Sequence, residues 1–377
     1  MRILTRAGAL AAILTVATVP AIADGTYATD KVNIKVETVA EGLEHPWGVE
    51  TLPDGAFLVT ERPGRLRIVE NGALSQPLDG LPKIAVGGQG GLLDVALAND
   101  FDKSGTIYFT YSEPGRGGAG TALARAKLVR DGGGGRLENV DVIFSMDQKT
   151  RRGQHFGSRI AVADDNTVFF SIGDRGDGAR SQDLMDHAGA ILRVGPDGSI
   201  PPDNPFVSDD KARSELWSKG HRNPQGMDFD SKTGTLFAVE HGARGGDEIN
   251  QPQAGLNYGW PVISYGRHYS GAKIGIGSDA PGYQQPIHYW DPSIAPGGMT
   301  VYRGAMFPEW DGDFLVAALK DRMLVRVDRD STGNITGEEN LLEGRYGRMR
   351  DVKTAPDGSL LVLTDEPDGA LLRISRN

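Results

Sequence analysis

Between Gly220 and Pro261 the chain brings together residue types that bind anions and residue types that bind hard cations. His221-Arg222-Asn223-Pro224 sets a planar guanidinium fork beside a carboxamide, donors suited to an oxygen-rich anion. Glu240-His241-Gly242-Ala243-Arg244-Gly245-Gly246-Asp247-Glu248 is a glycine-rich loop whose carbonyls and acids suit calcium. Asn257-Tyr258-Gly259-Trp260-Pro261 closes the stretch. Asp247 and Glu248, with the carbonyls of Gly242 and Tyr258, have the character of calcium ligands, although their spacing is not that of an EF-hand. Turn-capping carboxylates are the competing reading. A metal loop beside an anion site points to a metal-bound anionic cofactor.

Further polar residues stand at comparable places elsewhere. Gln89, in Gly87-Gly88-Gln89-Gly90-Gly91, offers a donor and an acceptor where the backbone can approach a ligand closely. No helix pattern follows, so this is not a phosphate loop, and a tight turn explains it equally well. His155, in Gln154-His155-Phe156-Gly157-Ser158-Arg159, has the ordinary pKa of a general base near neutrality, with a structural hydrogen-bonding histidine as the alternative. Lys320, Arg345, Arg348 and Arg350 add cations, and Arg348 and Arg350 share one face if the backbone is extended. Singly these are surface charges or inter-strand ion pairs. Together, on an acidic chain, they describe a site for a polyanionic small molecule.

The elements that must position these residues recur six times. Each copy has an Asp-Gly turn or its equivalent, a short strand-forming run, a loop and a second strand. The first strands are 56–60, 106–111, 167–172, 235–239, 313–318 and 359–364, and the returns lie near 64–69, 122–129, 190–194, 247–250, 323–327 and 370–374. No amphipathic helix of useful length separates them. A lone four-stranded antiparallel sheet leaves both faces wet, whereas a ring of them buries both and hides most edges. The prediction is an all-β chain, a six-bladed β-propeller, rather than a sandwich or an open solenoid. The strand-like segment 31–40 is expected to complete the last blade and close the ring. Segments 201–214 and 264–281 read as loops, and long loops on one propeller face commonly build the site.

The chain opens Met1-Arg2-Ile3-Leu4-Thr5-Arg6, continues in a short apolar run, and reaches Ala21-Ile22-Ala23 before Asp24, the pattern of a cleaved secretory leader. A single propeller domain over 24–377 and a periplasmic or secreted location follow as expectations. Loss of the leader removes two arginines and takes the formal charge from −10 to −12. That charge argues against nucleic acid and against anionic lipid as partners, and no later segment is apolar for long enough to insert in a membrane. The absence of cysteine excludes disulfides, thiol nucleophiles and thiolate metal sites, and with no paired histidine spacing it argues against zinc.

In order and combination, Gly-Gln-Gly-Gly-Leu-Leu-Asp at 88–94, Gly-His-Arg-Asn-Pro-Gln-Gly at 220–226, Asp-Glu-Ile-Asn at 247–250 and Asn-Tyr-Gly-Trp-Pro at 257–261 resemble the soluble sugar dehydrogenases that use pyrroloquinoline quinone (PQQ). The aldose sugar dehydrogenase branch is the nearest. The resemblance runs from His45-Pro46-Trp47-Gly48 to Arg348-Met349-Arg350-Asp351-Val352. It implies a six-bladed propeller carrying PQQ through calcium on one face. His155 then falls at the catalytic base, and Arg222 and Asn223 fall at the quinone oxygens. Gln89, Lys320, Arg348 and Arg350 fall at further cofactor contacts. The carbonyls of Gly242 and Ala243 would hold the cofactor's calcium. Glu248 and the Tyr258 carbonyl, with Asp247 nearby, would hold a second, structural one.

The implied reaction removes the C1 hydroxyl proton of an aldose to His155 and passes hydride from C1 to quinone C5. Calcium and Arg222 stabilise the charge developing on the quinone oxygens. A lactone forms, and an external acceptor collects the electrons. Two departures stand out. Gln154 replaces an acidic residue beside the histidine, and Ala243 replaces a proline at a carbonyl ligand. A calcium-dependent lactonase-type hydrolase and a non-catalytic exported binding propeller remain as alternatives.

Overall fold

The computed structural model describes residues 24–377. The leader at 1–23 lies outside the described residues. The chain forms a six-bladed β-propeller, five sheets of four antiparallel strands and one of five.

The first blade comprises Pro46–Thr51, Phe57–Glu61, Arg65–Glu70 and Ala73–Leu74. The second comprises Leu92–Leu97, Thr106–Gly115, Gly118–Asp131 and Gly134–Ser145, and the third Ile160–Val162, Val168–Ile172, Ala190–Val194 and Leu216–Lys219. The fourth comprises Pro224–Asp230, Thr235–Glu240, Asp247–Asn250 and His288–Trp290, and the fifth Pro296–Val301, Phe314–Ala318, Met323–Arg329 and Ile335–Leu341. The sixth joins Met349–Thr354, Leu360–Thr364 and Gly369–Arg376 to the N-terminal strands Asn33–Leu43 and Gly25–Ala28. The two ends of the chain therefore close the ring by pairing, with Val36 opposite Ile374.

The middle strands are apolar runs because both their faces are buried. Successive side chains point to opposite faces of a sheet, and each face meets a different neighbouring blade. Leu58 packs with Leu92, Val95 and Phe109 of the second blade, while Val59 packs with Leu361 and Leu363 of the sixth. Phe170 and Phe169 divide in the same way between the second and fourth blades. Val316 and Leu315 divide between the fourth and sixth. Six apolar clusters thus fill the six inter-blade seams.

The first strand of each blade lines the central axis. Five of these inner strands carry a register shift near their start, at Pro46/Val49, Leu92/Val95, Pro224/Gly226, Pro296/Gly298 and Met349/Asp351. A β-bulge re-aims the side chains around it. Here the bulges lie at the end of the axis where the polar motifs enter.

Just inside that end the axis is sealed. Arg159 is 1% exposed, and its Nη1 lies 2.9 Å from Asp94 Oδ1 and 2.9 Å from Asp351 Oδ1. Its Nε donates to the Gln225 carbonyl at 2.8 Å and its Nη2 to the Gly297 carbonyl at 3.1 Å. Asp351 Oδ2 accepts from the Val49 amide at 3.3 Å. The guanidinium also lies over the Trp47 ring, 4.4 Å from its centroid. One buried cation and its two acids thus touch all six blades. Among the described residues no helix is long and apolar enough to cross a membrane.

Candidate functional site

Antiparallel pairing places the residues before each inner strand and those after each second strand at the same end of the ring. Gln89, His155, Arg222 and Asn223 precede inner strands, whereas His241, Gly242, Ala243 and Lys320 follow second strands. All eight line one cleft of about 730 Å³. Arg244, Arg267, Tyr269 and Asp291 complete its wall on the loop side.

His155 sits in a left-handed turn, with φ of 56°, a conformation a β-carbon disfavours. Gly173 permits it: a β-carbon there would lie 2.4 Å from the His155 carbonyl oxygen and 2.8 Å from Asn223 Oδ1. His155 Nδ1 lies 2.6 Å from Asp174 Oδ1. Asp174 Oδ1 also accepts from the Gly176 amide at 2.6 Å, and Oδ2 accepts from Trp260 Nε1 at 2.8 Å. This support holds the Asp174 carboxyl below its ordinary value although burial opposes it. Burial lowers the His155 pKa, the Asp174 hydrogen bond opposes that, and the Arg222 charge lowers it further. An ionised Asp174 accepts a hydrogen bond from the Nδ1–H, so the proton of the neutral ring stays on Nδ1 and Nε2 is left bare.

Two carboxamides flank this histidine and are oriented by the same turn. Gln89 Oε1 accepts from the His155 amide at 2.7 Å, and Asn223 Oδ1 accepts from the Gly157 amide at 3.0 Å. With both oxygens engaged, the NH2 ends are the ones left for a ligand, and both are donors.

Arg222 is 8% exposed. Its backbone amide donates to Glu240 Oε2 at 2.6 Å, and its guanidinium lies 5.3 Å from the centroid of the Trp260 ring. Nη1 donates to the His241 carbonyl at 3.2 Å and makes a shorter bond to the Gly242 carbonyl. A cation thus already rests on one of the carbonyls that the sequence assigns to calcium. Gly242 cannot carry a side chain here, since a β-carbon would lie 2.2 Å from the Gly245 carbonyl oxygen.

Asp247 organises this loop. Its Oδ1 accepts from the Gly242 amide at 2.8 Å, and its Oδ2 accepts from Ser293 Oγ at 2.7 Å and from the Ile294 and Ala295 amides at 2.8 Å each. Both oxygens therefore fasten the cradle from behind. Glu248 differs. Burial, then the charge of Glu240, pushes its carboxyl up to about 8. Asn250 Nδ2 donates to Glu240 Oε1 at 3.0 Å and to Glu248 Oε2 at 3.3 Å, while Asn250 Oδ1 is buried without a hydrogen-bond partner. Glu240 has His221, whose Nδ1 lies 2.8 Å away, and the His221 ring stacks on Tyr258 at 4.7 Å between centroids. Glu248 has no ion-pair partner among the described residues.

Lys320 is half exposed and donates to the Ser293 carbonyl at 2.6 Å. Arg348 and Arg350 do not line the cleft. Arg350 lies beneath it, donating to Gln225 Oε1 at 2.8 Å and to Asp365 Oδ2 at 2.6 Å. Gln225 Oε1 lies 2.9 Å from Nε2 of His241, which does line the cleft. Arg348 donates to the Leu319 carbonyl at 3.3 Å.

Sequence reasoning missed Asp174, Trp260 and His241 as site residues. A signal for Asp174 was present: it follows the second strand of its blade, the position that singled out Lys320. It also answers the neutral Gln154, because the acid supporting His155 comes from residue 174 instead.

The Glucose / Sorbosone dehydrogenase family model matches residues 43–373. Aldose sugar dehydrogenase YliI of Escherichia coli K12 is 42% identical over 349 residues, covering 91% of this chain and 93% of that protein. The crystal structure of the soluble E. coli aldose sugar dehydrogenase in its apo form superposes with a TM-score of 0.87 at 41% identity, over 91% of this chain and 100% of that one. An aldose sugar dehydrogenase from Streptomyces coelicolor, solved in a PQQ-bound form, gives a TM-score of 0.76 at 30% identity, over 92% of this chain and 99% of that one. With the family model spanning nearly the whole described ring, this chain belongs to the Glucose / Sorbosone dehydrogenase family, a family of oxidoreductases.

Proposed function

We propose that this chain oxidises aldose sugars at C1 to lactones with PQQ and calcium, and hands the electrons to an external acceptor. The observation that carries the reading is the convergence of an acid-supported histidine, His155 with Asp174, on Arg222, Asn223, Gln89 and the Gly242-Ala243 loop in one cleft.

The residues fit the cofactor. PQQ bears three carboxylates and an ortho-quinone, and the cleft presents two oriented NH2 donors, Arg222 and Lys320. Gln89, Arg222, Asn223 and Lys320 would hold it, with Arg348 and Arg350 adding positive charge. Arg350 acts from below, through Gln225. The Gly242 and Ala243 carbonyls would hold its calcium, with Arg222 moving from the Gly242 carbonyl toward the quinone oxygens. A second calcium fits Glu248 and the Tyr258 carbonyl, where a half-buried carboxyl has no ion-pair partner among the described residues and Asn250 Oδ1 lacks a hydrogen-bond partner. Among the described residues no three His, Cys, Asp or Glu side chains gather, so carbonyls must supply much of either shell. Bound in the cleft, the quinone supplies the two-electron acceptor for hydride from C1.

The chain's own residues do the rest. His155 Nε2 takes the proton of the C1 hydroxyl, and Asp174 stabilises the imidazolium that results and holds the ring in place. Trp260 fixes the other carboxylate oxygen, so Asp174 cannot swing away. Arg222 offers its guanidinium to negative charge in a largely buried position, where the interaction is strong. We further propose that residues 1–23 are an export leader, which places the propeller in the periplasm or outside the cell.

Reconstitution tests the reading. Metal-free protein is mixed with PQQ and calcium, then with an aldose under anaerobic conditions while the quinone absorption is followed. Rapid reduction, reversed by an artificial acceptor, is expected. Calcium-dependent binding without reduction would remove the aldose from the proposal. No binding would leave a lactonase-type hydrolase or a binding propeller.

A further inference from the structure

The loop side of the cleft holds two arginines that the chemistry above does not use. Arg244 and Arg267 face each other across an antiparallel bridge. The Arg244 amide donates to the Arg267 carbonyl at 2.9 Å, and the Arg267 amide donates back at 3.1 Å. Like charges directly opposite one another on paired strands repel. Neither guanidinium has a hydrogen-bond or ion-pair partner among the described residues to relieve this. Both are exposed and both line the same cleft as His155.

Their surroundings favour a small anion over a protein surface. The cleft wall carries Arg222, Arg244, Arg267 and Lys320 against one lining carboxylate, Asp291, which lies by the Gly245 backbone; Asp321, 3.5 Å from the Lys320 ammonium, offsets that lysine and leaves the two loop arginines uncompensated. Lys273 bridges Arg267 through the backbone on the other side, with its ammonium held by the Ile276 carbonyl at 2.6 Å, so the two arginines are the cations this loop turns to the cleft. Tyr269 stands in the same wall with 75% of its surface exposed, an aromatic face of the kind that sugar rings stack against. A neutral aldose has no use for a charge excess of this size beyond what the cofactor takes. An aldose with an acidic group at the end remote from C1 does.

We propose that Arg244 and Arg267 form an anion-binding subsite, and that the favoured substrate is an acidic aldose carrying a carboxylate or a phosphate away from C1. This rests on the sugar dehydrogenase reading. C1 then lies toward His155 while the anion bridges the two guanidinium forks, which match carboxylate and phosphate oxygens in pairs.

The test uses the protein loaded with calcium and PQQ and an uncharged electron acceptor. Steady-state kinetics with glucose, glucuronic acid and glucose 6-phosphate are compared for the native protein and for R244Q/R267Q. The expected result is a kcat/KM for one acidic sugar above that for glucose. The acidic-to-neutral ratio then falls about tenfold in the double variant, through KM, as expected for losing two solvent-facing charge-assisted contacts. Whichever acid is preferred identifies the group as carboxylate or phosphate. An unchanged ratio overturns the proposal. So does a double variant whose PQQ affinity collapses while its sugar ratio persists, because the arginines would then serve the cofactor. Calorimetry with methyl glucuronide and methyl glucoside, which lack the C1 hydroxyl, separates the two readings. Tighter binding of the acidic glycoside, lost in R244Q/R267Q, supports the subsite even if no sugar is oxidised. Equal binding of both glycosides with glucose still oxidised refutes the subsite alone.

Discussion

His155 Nδ1 and Asp174 Oδ1 stand 2.6 Å apart, and the Asp174 carboxylate is held from three sides. In the proposed reaction the pair sets which imidazole nitrogen accepts the proton and in what state. Because burial lowers the His155 pKa, the ring is neutral and able to accept a proton at neutral pH. On the acid side, kcat/KM is expected to rise with pH through a midpoint below the ordinary histidine value of about 6.5. Asp174→Asn removes the group that opposes this lowering, so the midpoint moves to still lower pH while the plateau falls. A pH–rate profile of both proteins checks the two shifts together; a midpoint above the ordinary value contradicts the assignment.

His155→Gln should lower turnover by roughly 10²–10⁴-fold, the usual range for a lost general base. PQQ binding should largely survive, because Gln89 is held by the residue 155 backbone amide, which remains. Absorption titration against turnover separates the two effects, and near-normal turnover would show that another group is the base.

Calcium should raise the melting temperature of the metal-free protein. At a hundredfold excess over its dissociation constant a ligand stabilises by about 2.7 kcal/mol. Glu248→Ala should abolish the part of that shift due to the structural site, while calcium-dependent PQQ binding through the Gly242-Ala243 loop persists. Calorimetry of both proteins with calcium and with a chelator measures it. Loss of both functions together would merge the two sites into one.

Arg159→Ala leaves Asp94 and Asp351 buried without their cation. Breaking a buried pair in this way costs about 3–5 kcal/mol, which chemical denaturation would read directly. Arg159→Met should recover little, since both acids remain.

Deletion of 24–43 removes the strand opposite Gly369–Arg376 together with Ile34, Val36, Ala40 and Leu43, which belong to two seams. The expected outcome is an open, protease-sensitive chain rather than a smaller stable ring. Limited proteolysis alongside circular dichroism distinguishes these.

Which elements the sequence revealed follows from where they are buried. Middle strands such as 314–318 are covered on both faces, so they stand out as unbroken apolar runs, and 168–172 is broken only by Ser171. Segment 31–40 was legible as a strand-like stretch placed to close the last blade, and it pairs with Gly369–Arg376. Inner strands were harder to see: Ile160–Val162 has three residues, and others begin at bulges with Pro or Gly. Outer strands such as Ala73–Leu74 are too short to show a period. In the site, residue type made His155, Arg222, Asn223 and Gln89 visible. Asp174 and Trp260 escaped because an acid in a loop and a tryptophan near a proline have many bland explanations. The depth of Arg350 was also hidden, since alternation shows a shared face but not what lies between that face and the ligand.

Arg159, Asp94 and Asp351 close the axis below the cleft, and each is almost wholly buried. A propeller with an open bore could admit one molecule at one face and release another at the opposite face. Among the described residues this axis gives the cleft no way through to the opposite face. In the proposed cycle the incoming sugar, the departing lactone and the electron acceptor must take turns at the cleft. Sugar and acceptor are then mutually exclusive visitors, with ping-pong kinetics and inhibition by whichever is in excess.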